Sequence, residues 1–592
     1  MLLEVKNLVT SFKTPWGRFR AVDEISFSLN DSECLALVGE SGCGKSVTAL
    51  SIMRLIQDPP GLIESGELLL KGQDLLKLPE SKMRKVRGGE ISMIFQEPMT
   101  SLNPVFSIGN QIDEAILLHT NLSRSKARKK TLEMMELVGI PDVKERAEFY
   151  PHQLSGGLRQ RVMIAMALAC EPAILIADEP TTALDVSIQA QILDLLRGLQ
   201  KKMGMSLLMI THDFGVVAEI ADRVAVMYGG KIVESASVTD IFDYPKHPYT
   251  RALQRSIPEI KKRGQPLYSI PFSVPDAEEL IKGADLESRW KQLRDLEESK
   301  AESPNSPTVE KASSDPAKKD LNTEVFVELK DLKVHFHIKK SIFGRPLQTV
   351  RAVDGVSFKV NKGETLGLVG ESGCGKSTLG RSILRLLPVE SGGIFVEGKD
   401  VSRLRHRDFK AYRRRLQMVF QDPFSSLNPR MRVKDIIEEP LILHSNLKSI
   451  DRLARVRELL HTVGLARSSI DKFPHEFSGG QRQRISIARA LAVKPSFLVA
   501  DEPVSALDVS IQAQILNLLQ DLKSEFGLTY LFISHDLNVI GYLCDRVIVM
   551  KDGKIVEEIK PHDLLTSDTP LEDYTRKLLN SIPRRHPNQK RV

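Results

Sequence analysis

CLALVGESGCGKSVTALSI occupies residues 34–52, and TLGLVGESGCGKSTLGRSI occupies residues 365–383. Each begins as a short buried-strand pattern, passes through a glycine-rich loop and leaves as a helical run. Strand, G-x-x-x-x-G-K-S and helix together form a phosphate-binding context. The glycines let backbone N–H groups converge on phosphate oxygens, and the helix N-terminus adds the positive end of its dipole. The loop residues are Gly39, Glu40, Ser41, Gly42, Cys43, Gly44, Lys45 and Ser46, then Gly370, Glu371, Ser372, Gly373, Cys374, Gly375, Lys376 and Ser377. Lys45 and Lys376 are expected on the β/γ-phosphates of a nucleotide, with the Ser46 and Ser377 hydroxyls on Mg²⁺.

The repeat extends well beyond the loop. AVDEISFSL at 21–29 returns as AVDGVSFKV at 352–360, and ADEPTTALDVSIQAQIL at 177–193 as ADEPVSALDVSIQAQIL at 500–516. Spacing is held: Ser155 to Asp178 and Ser478 to Asp501 are both 23 positions, and Asp178 to His212 and Asp501 to His535 both 34. Lys45 to Gln96 is 51 positions against 45 from Lys376 to Gln421, so the first copy carries a small insertion. A chain of 592 residues exceeds one hydrophobic core, and these motifs divide it into two copies of one domain, 1–258 and 325–583. Residues 259–324 read as a largely flexible linker. Its stretch from about 284 could open as a short amphipathic helix through Leu286, Leu293 and Leu296 before turning Ser-, Pro-, Lys- and Glu-rich. Residues 584–592 form a basic tail.

Bulk composition narrows the class. No run of eighteen apolar residues occurs, and the start lacks the pattern of a signal peptide. Five cysteines without CxxC spacing suit a reducing cytoplasm and argue against a disulfide framework or a zinc site. Net charge is only +7, and the basic run at 403–415 carries no groove-reading motif, so it reads as a solvated helix face and no nucleic-acid partner is expected.

AILIADE at 173–179 and SFLVADE at 496–502 are apolar strands ending in two acids. In a parallel α/β sheet such acids lie at the edge that carries the phosphate loop. Asp178 and Asp501 are expected on Mg²⁺, directly or through water. Glu179 and Glu502 are expected as general bases toward the attacking water. His212 and His535 end a further strand in each copy and are expected to touch the γ-phosphate and that water. Ser155-Gly156-Gly157 and Ser478-Gly479-Gly480 each precede a helix, giving every copy a second anion-binding N-terminus. One terminal phosphate cannot serve both in one domain. The economical solution is a pair of domains, each presenting its SGG to the nucleotide of the other. Cys43 and Cys374 have two equal readings, a thiol activated by the loop's N–H groups or a small packing residue.

With these motifs the chain resembles a tandem ATP-binding cassette (ABC) ATPase over nearly everything except linker and tail. QEPMTSLNP, QDPFSSLNP, FYPHQLSGG, HPYTRALQRSIP at 247–258 and its echo DYTRKLLNSIP at 573–583 further resemble dipeptide/oligopeptide importers. The resemblance implies two P-loop domains, each with a mainly parallel core sheet, an antiparallel β subdomain and a helical subdomain. Two ATP would be sandwiched between the halves. Phe12 and Phe336 would stack on adenine, Gln96 and Gln421 would link Mg²⁺ to the membrane partner, and Asp185 and Asp508 would signal across the interface. Partners would be two transmembrane permeases and, through them, an extracytoplasmic solute-binding protein, with the chain peripheral on the cytoplasmic face of the inner membrane. Relatives often hold an iron–sulfur centre beyond HPYT. Residues 259–290 contain no cysteine, so none is expected. A ribosome-associated ABC-F ATPase is the alternative class. Those typically read T-N-H-L-D after the catalytic acid and join their domains by a long basic helix, whereas TTALD, VSALD and a mixed-charge linker stand here.

Overall fold

The computed structural model describes residues 1–96, 101–182, 184–301, 324–340, 346–505, 507–564, 570–584 and 586–588. They form two compact units. One comprises Met1–Gln254, Ile270–Glu302 and Pro583–Val592, the other Arg255–Ser269 and Ser303–Ile582.

In the first unit β1 (Leu3–Thr14), β2 (Gly17–Leu29), β4 (Gly61–Leu70) and β5 (Gln73–Asp74) make an antiparallel sheet in the order β2-β1-β4-β5. β3 (Cys34–Val38), β6 (Ile91–Ile94), β7 (Ile174–Asp178), β8 (Ser206–Thr211), β9 (Arg223–Tyr228) and β10 (Lys231–Ser237) make the second, ordered β10-β9-β3-β8-β7-β6. All its pairings are parallel except β9 with β10. Every residue of β3 and β7 is buried, as apolar strands covered on both faces must be. One core, including Leu3, Val22, Leu37, Ile176 and Ile210, fills the side facing the antiparallel sheet. The other packs the helical region against the opposite face through Ile112, Val162, Ile164, Leu175 and Leu207.

The second unit repeats this plan. β11 (Val325–Lys340), β12 (Pro346–Asn361), β14 (Ser391–Val396) and β15 (Lys399–Asp400) order as β12-β11-β14-β15. β13 (Thr365–Val369), β16 (Leu416–Val419), β17 (Phe497–Asp501), β18 (Thr529–Ile533), β19 (Arg546–Lys551) and β20 (Lys554–Ile559) order as β16-β17-β18-β13-β19-β20. The insertion of the first copy falls mainly before β5: Lys45 to Gln73 spans 28 positions, Lys376 to Lys399 only 23.

The helices that matter to function are α1 (Lys45–Ile52), α2 (Gly156–Leu168), α3 (Val186–Met203), α4 (Phe214–Ile220), α5 (Pro248–Arg255) and α6 (Leu286–Ala301). Their second-unit companions are α7 (Lys376–Ile383), α8 (Gly479–Leu491), α9 (Val509–Phe526), α10 (Leu537–Leu543) and α11 (Asp573–Asn580).

Within the segment read as linker, residues 259–301 carry packed structure. Trp290 on α6 is buried against Tyr228, with ring centroids 4.7 Å apart, and against Tyr249 at 6.0 Å. In the other unit Leu267 exchanges two hydrogen bonds of 2.9 Å with the Asn517 side chain on α9. Ile260 fills the space left by Gly541, where an added Cβ would lie 2.4 Å from Ile260 Cγ1. The Pro/Ser-rich stretch 302–323 lies outside the described residues. In the tail, Arg584 lies 3.3 Å from Glu219 and His586 Nε2 2.8 Å from Asp243.

Candidate active site

β3 delivers the chain into the loop, and Gly44 (φ 106°) turns it into α1. A Cβ at Gly44 would meet the Ala21 carbonyl oxygen at 2.3 Å, so the position is closed to side chains by space as well as by φ. Gly42 also has a left-handed φ of 82°, but an added Cβ would meet nothing within 4 Å. The outer rim of the loop is open there, and Ser41 and Gly42 are exposed. Gly375 and Gly373 repeat both features.

Lys45 is buried with its ammonium folded onto the loop. Nζ donates to Gly39 O at 2.6 Å and to Glu40 O at 3.0 Å. Lys376 does the same with Gly370 O (2.7 Å) and Glu371 O (2.9 Å). Those carbonyls hold the charge that a phosphate would otherwise compensate. The thiols of Cys43 and Cys374 are buried beside the same ammoniums, Sγ 3.8 Å from Nζ in each copy.

Ser46 Oγ donates to Asp178 Oδ1 at 3.0 Å, and Ser377 Oγ to Asp501 Oδ1 at 2.8 Å. Burial pushes the Asp178 carboxyl up to about 6, with the Ser46 hydrogen bond opposing and the neighbouring Glu179 charge adding to the rise. Asp501 is raised for the same first reason. A carboxylate in this condition favours a cation. Asp501 Oδ2 is buried without a hydrogen-bond partner, with Arg381 Nη2 3.9 Å away. Among the described residues no group of three or more His, Cys, Asp and Glu side chains is arranged to hold a metal. That donor set, one hydroxyl and one carboxylate in each copy, suits Mg²⁺, which keeps several waters and takes the rest of its shell from phosphates.

Glu179 is the hub of the site. Gln96 Nε2 donates to its Oε2 at 3.0 Å, Thr182 Oγ1 donates to the same oxygen at 3.0 Å, and His212 Nδ1 lies 3.2 Å from Oε1. Burial alone would raise its pKa. The His212 hydrogen bond and charge, Lys45 and Thr182 outweigh that and hold the carboxyl down to about 2. Glu502 is likewise lowered against its burial, with Gln421 Nε2 at 2.9 Å and His535 Nδ1 at 3.3 Å. The copies differ at one contact: Ser505, the counterpart of Thr182, donates to the Glu502 backbone carbonyl instead, at 3.1 Å. Both glutamates also adopt left-handed backbone, φ 47° and 45°, a strained setting for a non-glycine residue.

Lys, Ser, Gln, Asp, Glu and His thus meet around one loop in each unit. The signature serines belong to another element. Ser155 and Ser478 are exposed caps of α2 and α8, accepting from Leu158 N–H and Gln481 N–H at 3.4 Å. Gly156 and Gly479 follow in the first turn, and Gly157 and Gly480 are buried against Ile188 and Ile511, where a Cβ would fall at 2.9 and 2.3 Å. Asp185 and Asp508 stand at the N-cap positions of α3 and α9. Phe12 stacks on Phe19 with centroids 6.0 Å apart, and Phe336 is 38% exposed. The sequence reading passed over Thr182 and two tyrosines that reach the loops. Tyr249 donates to Glu40 Oε2 at 3.3 Å, and Tyr574 accepts from the Glu371 N–H at 3.2 Å. The only signal for them was the repeated Tyr-Thr of HPYT and DYTR.

A buried lysine, a hydroxyl–carboxylate pair and a strained glutamate held by a histidine, gathered around one strand-borne loop, define a P-loop nucleoside triphosphatase, present here twice. Residues 22–182 and 353–505 match the ABC transporter family, and residues 233–292 match the oligopeptide/dipeptide transporter C-terminal region. The chain belongs to the ABC transporter family, as an ATP-binding, ATP-hydrolysing subunit of an importer built from two fused cassettes. It is 48% identical to the glutathione import ATP-binding protein GsiA of Shigella dysenteriae serotype 1 over 595 residues, covering 100% of this chain and 91% of that one. The protein of the same name from Escherichia coli strain K12 matches at the same identity and coverage. Among the described residues no helix is long and apolar enough to cross a membrane.

Proposed function

We propose that the two cassettes, over 1–258 and 325–583, pair head to tail and hydrolyse two ATP at composite sites, driving peptide import through separate permeases. The observation that carries this is the polar set around both loops, combined with an exposed serine cap on the SGG helix in each copy. Lys45 and Lys376 leave their loop carbonyls for the phosphates. Ser46 with Asp178, and Ser377 with Asp501, hold Mg²⁺, which when bound supplies positive charge to the phosphate oxygens, assisted by Gln96 and Gln421. Glu179 and Glu502, kept ionised by His212 and His535, accept the proton of the attacking water, and the histidines face the terminal phosphate. Ser155 and Ser478 close each site from the opposite cassette, with the SGG N–H groups on the γ-phosphate. The adenine rests on Phe12 or Phe336, and Asp185 and Asp508 pass the state of one site to the other.

The cargo we propose is glutathione or a similarly short peptide, on the strength of the relatives and of the oligopeptide/dipeptide region at 233–292. Two permeases and a solute-binding protein complete the transporter, which seats this chain on the cytoplasmic face of the membrane. Uptake of radiolabelled glutathione and dipeptides by cells carrying the permeases tests the proposal. Uptake that needs this chain and disappears with Lys45→Ala plus Lys376→Ala supports it. Uptake unchanged by removing the chain overturns it.

A further inference from the structure

The peptide unit between the first two loop residues is pinned at both ends in each copy. In the first unit its carbonyl, Gly39 O, accepts from Lys45 Nζ at 2.6 Å, and its amide, Glu40 N–H, donates to the Tyr249 hydroxyl. That hydroxyl in turn donates to Glu40 Oε2 at 3.3 Å. In the second unit Gly370 O accepts from Lys376 Nζ at 2.7 Å, and Glu371 N–H donates to Tyr574 Oη at 3.2 Å. The two tyrosines sit at the start of α5 and α11, helices that follow the cassette proper.

We propose that Tyr249 and Tyr574 are positioning residues for ATP: each fixes the Gly–Glu peptide of its phosphate loop when the lysine leaves that peptide for the nucleotide. Without nucleotide the lysine and the tyrosine hold this peptide from its two ends. Once Nζ moves to phosphate, the tyrosine still clamps the same plane. A rotated peptide would turn a carbonyl oxygen toward the phosphates and remove the loop's preset geometry, which binding would then have to restore. The setting suits a fixed clamp. Tyr249 is fully buried, its ring 4.6 Å from Tyr228 and 6.0 Å from Trp290, and Arg289 Nη1 donates to Tyr228 Oη at 2.9 Å. Burial, with the Glu40 charge, pushes the Tyr249 phenol well up, so it stays protonated and able to donate. Tyr574 is half-buried under Lys551 Nζ, 4.9 Å from the ring centroid, and burial raises it to about 12. The segment from Phe272 to Trp290 thereby acquires a function in the first cassette: it backs the tyrosine that backs the loop.

The inference rests on assigning the loops to ATP, which Lys45→Ala tests separately. Binding at the first loop that survives Lys45→Ala overturns the assignment itself. Lost binding there, with no effect of Tyr249→Phe, overturns only the positioning role. The full chain is photolabelled with 8-azido-ATP across a concentration series, and labelled peptides of each cassette are quantified by mass spectrometry. Tyr249→Phe keeps the ring and removes the hydroxyl. It should weaken ATP about five- to tenfold at the first loop, leave the second loop within twofold, and leave turnover at saturating ATP within twofold. In nucleotide-free protein it should also speed alkylation of Cys43 several-fold while Cys374 keeps its rate, a change that ring packing alone would not produce. 4-Aminophenylalanine at position 249, which restores a hydrogen-bonding group, should recover most of both losses. Tyr574→Phe should give the mirror result at the second loop, in a half-buried setting that tolerates the change. Unchanged ATP affinity and unchanged Cys43 reactivity in Tyr249→Phe, or equal changes at both loops, overturn the proposal.

Discussion

Ser46→Ala separates two roles that the loop could give this hydroxyl. Ser46 Oγ donates to Asp178 Oδ1 at 3.0 Å, and Asp178 is buried on every side at the end of β7. A hydrogen bond to a charged group contributes about 1.5–3 kcal/mol, and losing a metal ligand of similar strength translates to roughly a tenfold to hundredfold change in binding. If the hydroxyl serves Mg²⁺, that loss belongs to MgATP alone. The assay is equilibrium binding of a fluorescent ATP analogue to full-length protein carrying Lys376→Ala, so that only the first loop reports. With Mg²⁺ the affinity of Ser46→Ala should fall by that factor, and with EDTA it should stay within about twofold of the parent, well below the effect of one charged hydrogen bond. Equal losses with and without Mg²⁺ would refute the reasoning, because the hydroxyl would then be shaping the loop through Asp178.

Three further outcomes follow from the same geometry. Gly42→Ala should cost about 1–2 kcal/mol from left-handed backbone alone, whereas Gly44→Ala adds the 2.3 Å approach to Ala21 O and should cost clearly more; equal shifts in thermal unfolding would contradict this. Ser155→Arg should damage mainly nucleotide labelling at the Lys376 loop and Ser478→Arg that at the Lys45 loop, and loss confined to the mutated half would refute the composite sites. Cys43 and Cys374 are buried and Cys170 is half-buried, so N-ethylmaleimide should modify Cys170 first, and MgATP should slow the other two further; immediate ATP-protected loss of activity would show that the loop thiols are open.

Much of this molecule was legible because it is written twice. Duplicated strand–loop–helix patterns pointed to the parallel sheets, and equal intervals between Asp and His in both copies made the polar cluster around Lys45 readable. What escaped depends on contacts between distant segments. Thr182 and Ser505 occupy the same place, yet only the threonine hydroxyl reaches the carboxylate, and a one-letter difference does not reveal that. The left-handed backbone of Glu179 and Glu502 is imposed by the tertiary setting and leaves no residue-type signature, since glycine is absent there. Residues 259–301 have a polar composition because their anchors, Leu267, Trp290 and Leu293, are few and set among charges; burial of each depends on a surface supplied from elsewhere. Tyr249 shows in the sequence only as half of a repeated Tyr-Thr, because the glutamate it holds lies 209 positions away.

The central claim is that Glu179 and Glu502 are the bases of a two-site ATPase. Phosphate release by the Glu179→Gln, Glu502→Gln double variant, measured alongside ATP binding on the same preparation, tests it most directly. Glutamine keeps the size of the side chain but removes its charge and its ability to take a proton. The account predicts ATP bound as tightly as in the parent, with hydrolysis reduced at least about a hundredfold, the lower bound for a positioned general base. Hydrolysis at the parental rate with ATP normally bound would contradict it.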